Sequence, residues 1–265
     1  MGAATLAAEA RRSVALDVTW QDNLTNAERA GDRFDGLVLG ATARQGLVRR
    51  LPGNHVFTPE AQVRVEWVPE VSGLSAAAVG GTLGWQRKMG LGRRPIVTAA
   101  AGAQGVVTRE RDRQGVEISG RVGVQQRLAS ALRADANVEL LRRVARETVF
   151  DRTVRRGAVQ LHWDVAPRAT LSVHGFVQTG SALSHATPPR PDLVALARTR
   201  LPVTTFGRPM VAYALRARTA GYGLAGAFEL TPALALRGAW EHADTRRGPL
   251  RYRNQLVSAS LVHQF

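Results

Sequence analysis

Apolar and polar residues alternate along almost the whole chain, in segments of roughly ten residues, the length of a tilted strand crossing a bilayer. In SVALDVTWQD, residues 13–22, Val14, Leu16, Val18 and Trp20 share one face while Ala15, Asp17, Thr19 and Gln21 share the other. The same pattern holds at 37–43, 61–67, 79–85, 116–124 and 132–140. It continues at 157–165, 171–177, 222–230, 234–240 and in the closing run RYRNQLVSASLVHQF. With segment 95–109, whose small residues leave its faces unassigned, this predicts about twelve strands, roughly ten to fourteen, because 44–54 and 90–110 are weakly patterned. Helical periodicity is nearly absent. The best candidate for a spanning helix, the uncharged stretch VSGLSAAAVGGTLGWQ at 71–86, is bounded by Glu70 and Arg87 and falls short of the roughly 18–20 apolar residues required.

The opposite face carries charge. Strand by strand it presents Arg64 and Glu66; Glu117, Arg121 and Arg127; Arg133, Asp135, Glu139 and Arg143; Arg156, Gln160, His162 and Asp164; Ser172, His174 and Gln178; Arg237 and Glu241. A soluble sandwich points its apolar face inward, whereas a transmembrane barrel turns it to lipid and lines its lumen with polar residues. Alternation alone fits both. Connections at 129–131, 166–168 and 231–233 are short and those between them longer, notably 180–210, so one rim has tight turns and the other long loops. All five tryptophans (Trp20, Trp67, Trp85, Trp163, Trp240) fall on the apolar face, most near strand ends. The expected fold is all-β: a single antiparallel transmembrane up-and-down β-barrel over residues 13–265. Residues 1–12 are expected to be a leader or signal-peptide remnant. They lack a basic start and a long apolar core, yet Ala8-Glu9-Ala10 has the small-x-small form of a cleavage site, so a clipped signal and a short soluble leader both remain open.

The chain closes on Phe265, with Leu261, Ala259 and Val257 at alternate positions before it and His263 between. This stretch resembles the C-terminal strand of Gram-negative outer-membrane β-barrels of the porin-like kind, in which a terminal Phe and alternating apolar residues form the assembly signal. His263 stands where that family usually has Tyr or another aromatic. The resemblance implies the outer membrane of a Gram-negative bacterium, surroundings of lipid and lipopolysaccharide, and recognition by the barrel assembly machinery. It also implies a last strand that ends at the periplasmic rim and pairs with the first, leaving no edge. Asp22-Asn23 and Arg253-Asn254 are similar to the barrel domain of surface lipoprotein assembly modifiers, which implies an alternative role in export or assembly of a surface lipoprotein or polysaccharide.

The three-residue turn 129–131 sets Leu128 opposite Leu132. Counting outward puts Gln125 opposite Asp135, Arg121 opposite Glu139, Glu117 opposite Arg143, and the like charges Arg127 and Arg133 near the turn. The formal net charge is +15, and of the 36 basic residues only Lys88 is lysine. The interior set is close to balanced, so most of the excess falls in turns and loops such as Arg49, Arg50, Arg87, Lys88, Arg93 and Arg94, where it can meet lipid phosphates or anionic solutes. Ala78–Gly84 and Gly221–Ala227 make two small-residue walls, with room for an open path or for long arginines. PDLVALARTRLPV, within loop 180–210, is expected at the mouth as a constriction or cover.

Chemistry is sparse. There are no cysteines, and none of the six histidines has metal-binding spacing, so no metal and no cofactor is expected. His162 opposite Ser172, with Asp164 two residues along, has the residue types of a hydrolase triad but no oxyanion donors or strained nucleophile turn, so no enzyme is expected. GLGRRP at 90–95 lacks the Lys-Ser/Thr of a phosphate loop. Three readings follow: a porin-like channel for small, anionic solutes; an export or assembly barrel with an exported substrate; and a soluble basic β-protein binding nucleic acid. The last needs aromatics interleaved with its arginines, which three Tyr and seven Phe do not supply, so no nucleic-acid partner is expected.

Overall fold

The computed structural model describes residues 8–265. These form thirteen antiparallel strands in one sheet: β1 (Ala8–Gln21), β2 (Gly36–Leu51), β3 (His55–Trp67), β4 (Ala76–Lys88), β5 (Ile96–Thr108), β6 (Gly115–Arg127), β7 (Leu132–Ala145), β8 (Arg152–Ala166), β9 (Ala169–Ala186), β10 (Thr199–Val203), β11 (Met210–Thr231), β12 (Leu234–Arg247) and β13 (Leu250–Gln264). One helix, α1 (Pro191–Leu196), precedes β10. Twelve strands close into a barrel, because β9 pairs with β11 and β13 pairs with β1 from Ser13↔Gln264 to Gln21↔Leu256. Closure removes the sheet edge and satisfies the backbone, as a wall in hydrocarbon requires. β10 is extra to the ring and lies along Met210–Ala214 of β11.

The wall is inside out relative to a soluble protein. Val79, Leu83 and Val138 are 62, 53 and 65 % exposed, and the apolar members of nearly every other strand share their side. A continuous apolar surface of this extent belongs against lipid, which corrects the soluble nucleic-acid-binding alternative. Between its two ends the outward face is free of charged residues, where one at the midplane would cost about 2–4 kcal/mol. All five tryptophans point outward with it.

Two boundaries differ from the pattern. β1 begins at Ala8, and residues 8–12, expected in the leader, pair with 45–49 of β2; residues 1–7 of the expected leader lie outside the described residues. β2 runs to Leu51 and β5 covers Ile96–Thr108, although their alternation is weak. Their ladders with flanking strands extend them where side chains give no signal. One rim, here the turn rim, carries the connections 52–54, 89–95, 128–131, 167–168 and 232–233. The loop rim carries 22–35, 68–75, 109–114, 146–151, 187–209 and the short 248–249.

Candidate functional site

The lumen follows from strand parity. At the β6–β7 turn the Leu128 and Ala129 N–H groups donate to the Leu132 carbonyl at 2.8 and 3.1 Å. This fixes Arg127↔Arg133, Gln125↔Asp135, Arg121↔Glu139 and Glu117↔Arg143. Glu139 is also opposed by Arg156 of β8, so it lies between two guanidinium-bearing positions. Arg133 approaches Asp135 at 3.6 Å, relieving the like-charge pair at the turn, and Arg64 pairs with Glu66 on β3. Arg156 reaches past two strands to Glu241 at 3.6 Å, and His174 Nε2 lies 3.2 Å from the same carboxylate. Arg237 sits near the turn rim, opposite Ser260 and Ala227.

The small-residue walls are filled by their neighbours. Arg156 stacks its guanidinium 3.8 Å above the Phe176 ring, and that ring lies over Gly221, where any Cβ would strike it. A Cβ at Gly223 would come within 2.5 Å of the His174 ring. Across β4, Gln62 donates to Gln104 at 3.2 Å and Gln104 donates to Glu117 at 2.8 Å. Gly80 permits this crossing, since a Cβ there would meet the Gln104 Cβ at 2.5 Å.

His162 is bound on both nitrogens: Nδ1 lies 2.9 Å from Ser172 Oγ and Nε2 2.7 Å from Asp135. The carboxylate is therefore Asp135 of β7. Asp164 instead accepts from Thr170 Oγ1 at 3.0 Å. Ser172 stands mid-strand with its flanking N–H groups in the ladder, so the arrangement braces the wall.

Inward positions of the strands carry both signs in near balance: arginines Arg44, Arg64, Arg121, Arg127, Arg133, Arg143, Arg152, Arg156 and Arg237 face carboxylates Asp17, Glu60, Glu66, Glu117, Asp135, Glu139, Asp164, Glu229 and Glu241. Arg44, Glu60 and Arg152 were not picked out in the sequence, although their parity in β2, β3 and β8 was sufficient to find them. In the loop half, a cavity of about 710 Å³ is lined by Arg64, Glu66, Glu117, Arg143, Arg152, Arg156 and Glu241, with Gln104, Asn254 and Phe176 among the remainder.

Above this cavity the loops fold into a cap. Val68 and Val71, Val149 and Phe150, Val203 and Phe206, and Met210 and Ala212 are buried together, and the Phe34 and Phe206 rings lie 5.4 Å apart. The loops after β3 and β7 leave distant parts of the ring, so the cluster they share crosses the mouth. PDLVALARTRLPV divides: Leu193 of α1 packs on the rim with Tyr213, Leu215, Leu250 and Tyr252, and Val203 enters the cap. Arg190, fully buried, is held by Asp192 at 2.6 Å and Glu28 at 3.1 Å. Its hydrogen bond keeps the Asp192 carboxyl at about 2.

His185, at the end of β9 beyond the apolar band, lies within the cap. Its Nδ1–H donates to the Thr25 carbonyl at 3.2 Å, Nε2 accepts from Arg113 at 3.0 Å, and its ring meets Phe206 edge-on at 4.9 Å. Burial, then the adjacent Arg113 charge, pushes its pKa down to about 3, so the ring is neutral. Arg113 also pairs with Glu110 at 2.7 Å and lies 4.2 Å above the Phe150 ring. Sequence reading missed this cluster, since its parts are scattered over four connections and the end of β9.

No protein-family model matches the sequence, and no curated protein matches it. Solved structures do. The crystal structure of an outer membrane channel from Pseudomonas putida F1 superposes with a TM-score of 0.67 at 11 % identity, over 99 % of this chain and 97 % of that one. The CymD monoaromatic hydrocarbon channel gives 0.50 at 7 % identity, over 97 % and 88 % of the two chains. The KdgM porin in complex with disordered oligogalacturonate gives 0.49 at 8 %, over 96 % and 99 %. At such identities the likeness is one of fold: the chain has the closed antiparallel β-barrel of outer-membrane channels.

Proposed function

We propose that the chain is a porin-like channel of the Gram-negative outer membrane that passes small solutes and favours anions. The observation that carries this is a polar cavity of about 710 Å³ inside a closed wall whose outer face is apolar. In this reading the turn rim faces the periplasm and the loop rim the exterior. Val257, Ala259, Leu261, His263 and Phe265 serve as the signal read by the barrel assembly machinery; Phe265, 76 % exposed, is open to such recognition.

The anion preference has a specific origin. The lumen between the rims is charge-balanced, so it excludes neither sign. The turn rim is not: Arg50, Arg87, Lys88, Arg93 and Arg94 lie there. A basic mouth raises the local concentration of anions ahead of a neutral passage. The cap sets a second condition, since solute must pass between packed loops.

The test is a planar bilayer holding the refolded chain under a salt gradient. Discrete conductance steps with a reversal potential on the anion side are expected. Folding in plain buffer without detergent or lipid would sink the membrane reading, and a reversal potential on the cation side would sink the anion preference alone.

A further inference from the structure

The outer wall differs around its circumference at the loop rim. From β1 to β6 the outward positions nearest this rim are apolar: Trp20, Leu37, Trp67, Ala77, Val107 and Val116. On the other side, one row of paired positions runs Arg155↔Thr179↔Arg218↔Arg246↔Arg251 across five strands, β8, β9, β11, β12 and β13. All four arginines are exposed and share the outward parity of Val159, Leu224, Trp240 and Val257. Arg216 and Arg253 lie one outward step above and below the row. With strands about 4.8 Å apart, the row is about 19 Å long.

Its height is fixed by the residues beneath. On β11, Leu230 to Tyr222 covers about 27 Å of strand, roughly 19 Å of height at a 45° tilt. Tyr222 packs against Trp240 with ring centroids 5.7 Å apart and against His242 at 5.5 Å, an aromatic belt of interfacial kind. Arg218 stands four residues beyond, about 9 Å higher by the same tilt, so its guanidinium clears a hydrocarbon band of about 25 Å. The row slopes with that tilt, since beyond Arg155 it continues through Leu140, Gly120 and Ala101 toward the turn rim, so Arg246 and Arg251 stand higher among the headgroups and Arg155 lower, at the edge of the band, from which its long side chain reaches up.

The row's charge is largely unanswered. Asp244 accepts from Arg246 at 3.1 Å and also pairs with Arg251, while Arg253 is 3.8 Å away; Glu28 accepts the Arg251 backbone N–H at 3.3 Å. Among the described residues no carboxylate lies within 4.0 Å of Arg155, Arg216 or Arg218. Guanidinium is the side chain best matched to phosphate, which it grips through two parallel N–H···O bonds.

We infer that this row is a docking surface for the phosphates of the lipid that borders the loop rim, a phosphorylated glycolipid headgroup lying against β8–β13 with its acyl chains on the apolar wall below. The inference rests on the membrane reading above and adds a partner to it.

The test uses the full chain refolded into vesicles of phosphatidylcholine, alone or with lipid A or dephosphorylated lipid A, and reads the thermal unfolding midpoint. Lipid A is expected to raise the midpoint of the wild type, and R155Q/R218Q/R246Q to lose most of that rise. The control R29Q/R109Q/R146Q removes the same charge from the loops of the same rim and is expected to keep it. Equal loss in both variants, an equal rise with dephosphorylated lipid A, or the same rise from inorganic phosphate in lipid-free detergent would each overturn the inference. Should the triple variant fail to refold, R155Q and R218Q singly carry the test, each expected to lose part of the rise. Conductance recorded on the same preparation separates the two proposals: a lipid A response without conductance leaves this one standing, and conductance without that response removes it alone.

Discussion

At the loop rim, apolar residues from four connections turn inward and meet, whereas at the turn rim the connections stay outside the mouth. Phe206 in the cap is 5 % exposed; Leu91, in the longest connection of the turn rim, is 90 % exposed. Both ends are carried by the same alternating wall, so strand pattern does not decide which end is covered. What decides is whether a connection has residues to spare and apolar ones among them: Val68, Val71, Val149, Phe150 and Val203 occupy loops or the short β10, and no counterpart cluster forms at the other end among the described residues.

The contrast is broken most directly at Phe206. Phe206→Ala is expected to cost the cap about 3–5 kcal/mol, in line with truncation of a buried aromatic, and to enlarge the conductance step. Leu91→Ala should change neither quantity. Unaltered conductance in Phe206→Ala would mean that the cap is no barrier.

Acid should act on one end only. His185 has its pKa lowered from 6.5 to about 3, so the neutral ring favours the folded cap fully above pH 6.5. As pH falls below 6.5 the opened cap takes up the proton first, and this contribution is lost progressively down to about 3. Channel opening is therefore expected to increase as the loop side is acidified through that window, and His185→Gln to flatten the dependence. An unchanged response in His185→Gln would place the sensor elsewhere.

Inside the wall, Gly221→Val should drive a side chain into the Phe176 ring and lower stability by about 1–3 kcal/mol, with reduced conductance. Gly226→Ala, outward and open to a Cβ at 3.6 Å from Leu171, serves as its near-neutral partner. The smallest effect is expected from Glu139→Gln, about 0.2–1 kcal/mol for a wet cross-strand pair. Its reversal potential should nonetheless move toward anions, because Arg121 and Arg156 lose the carboxylate that both oppose.

The wall could be read from the sequence because a strand repeats every two residues whatever surrounds it. Leu128 opposite Leu132 was enough to place Arg121 against Glu139, since a hairpin propagates its register. β2 beyond Ala43 and β5 were obscure for the complementary reason: Gly and Ala stretches such as TAAAGAQG fit either face. The cap was illegible because His185, Arg113, Thr25 and Phe206 have no common period, and only the closed ring brings them together. The arginine row was hidden likewise. Arg155, Arg218, Arg246 and Arg251 are unremarkable singly, and they become a line only once β9 is known to pair with β11.

All five tryptophans lie on the outer face, and this makes the protein's intrinsic fluorescence a one-sided instrument. Brominated acyl chains should quench the emission strongly. Iodide held in the lumen is separated from every indole by the thickness of the sheet and should quench weakly. A solute passing through would leave the spectrum dark to its presence, so optical detection of binding needs an indole placed on an inward position such as Gln178, where the chain has none.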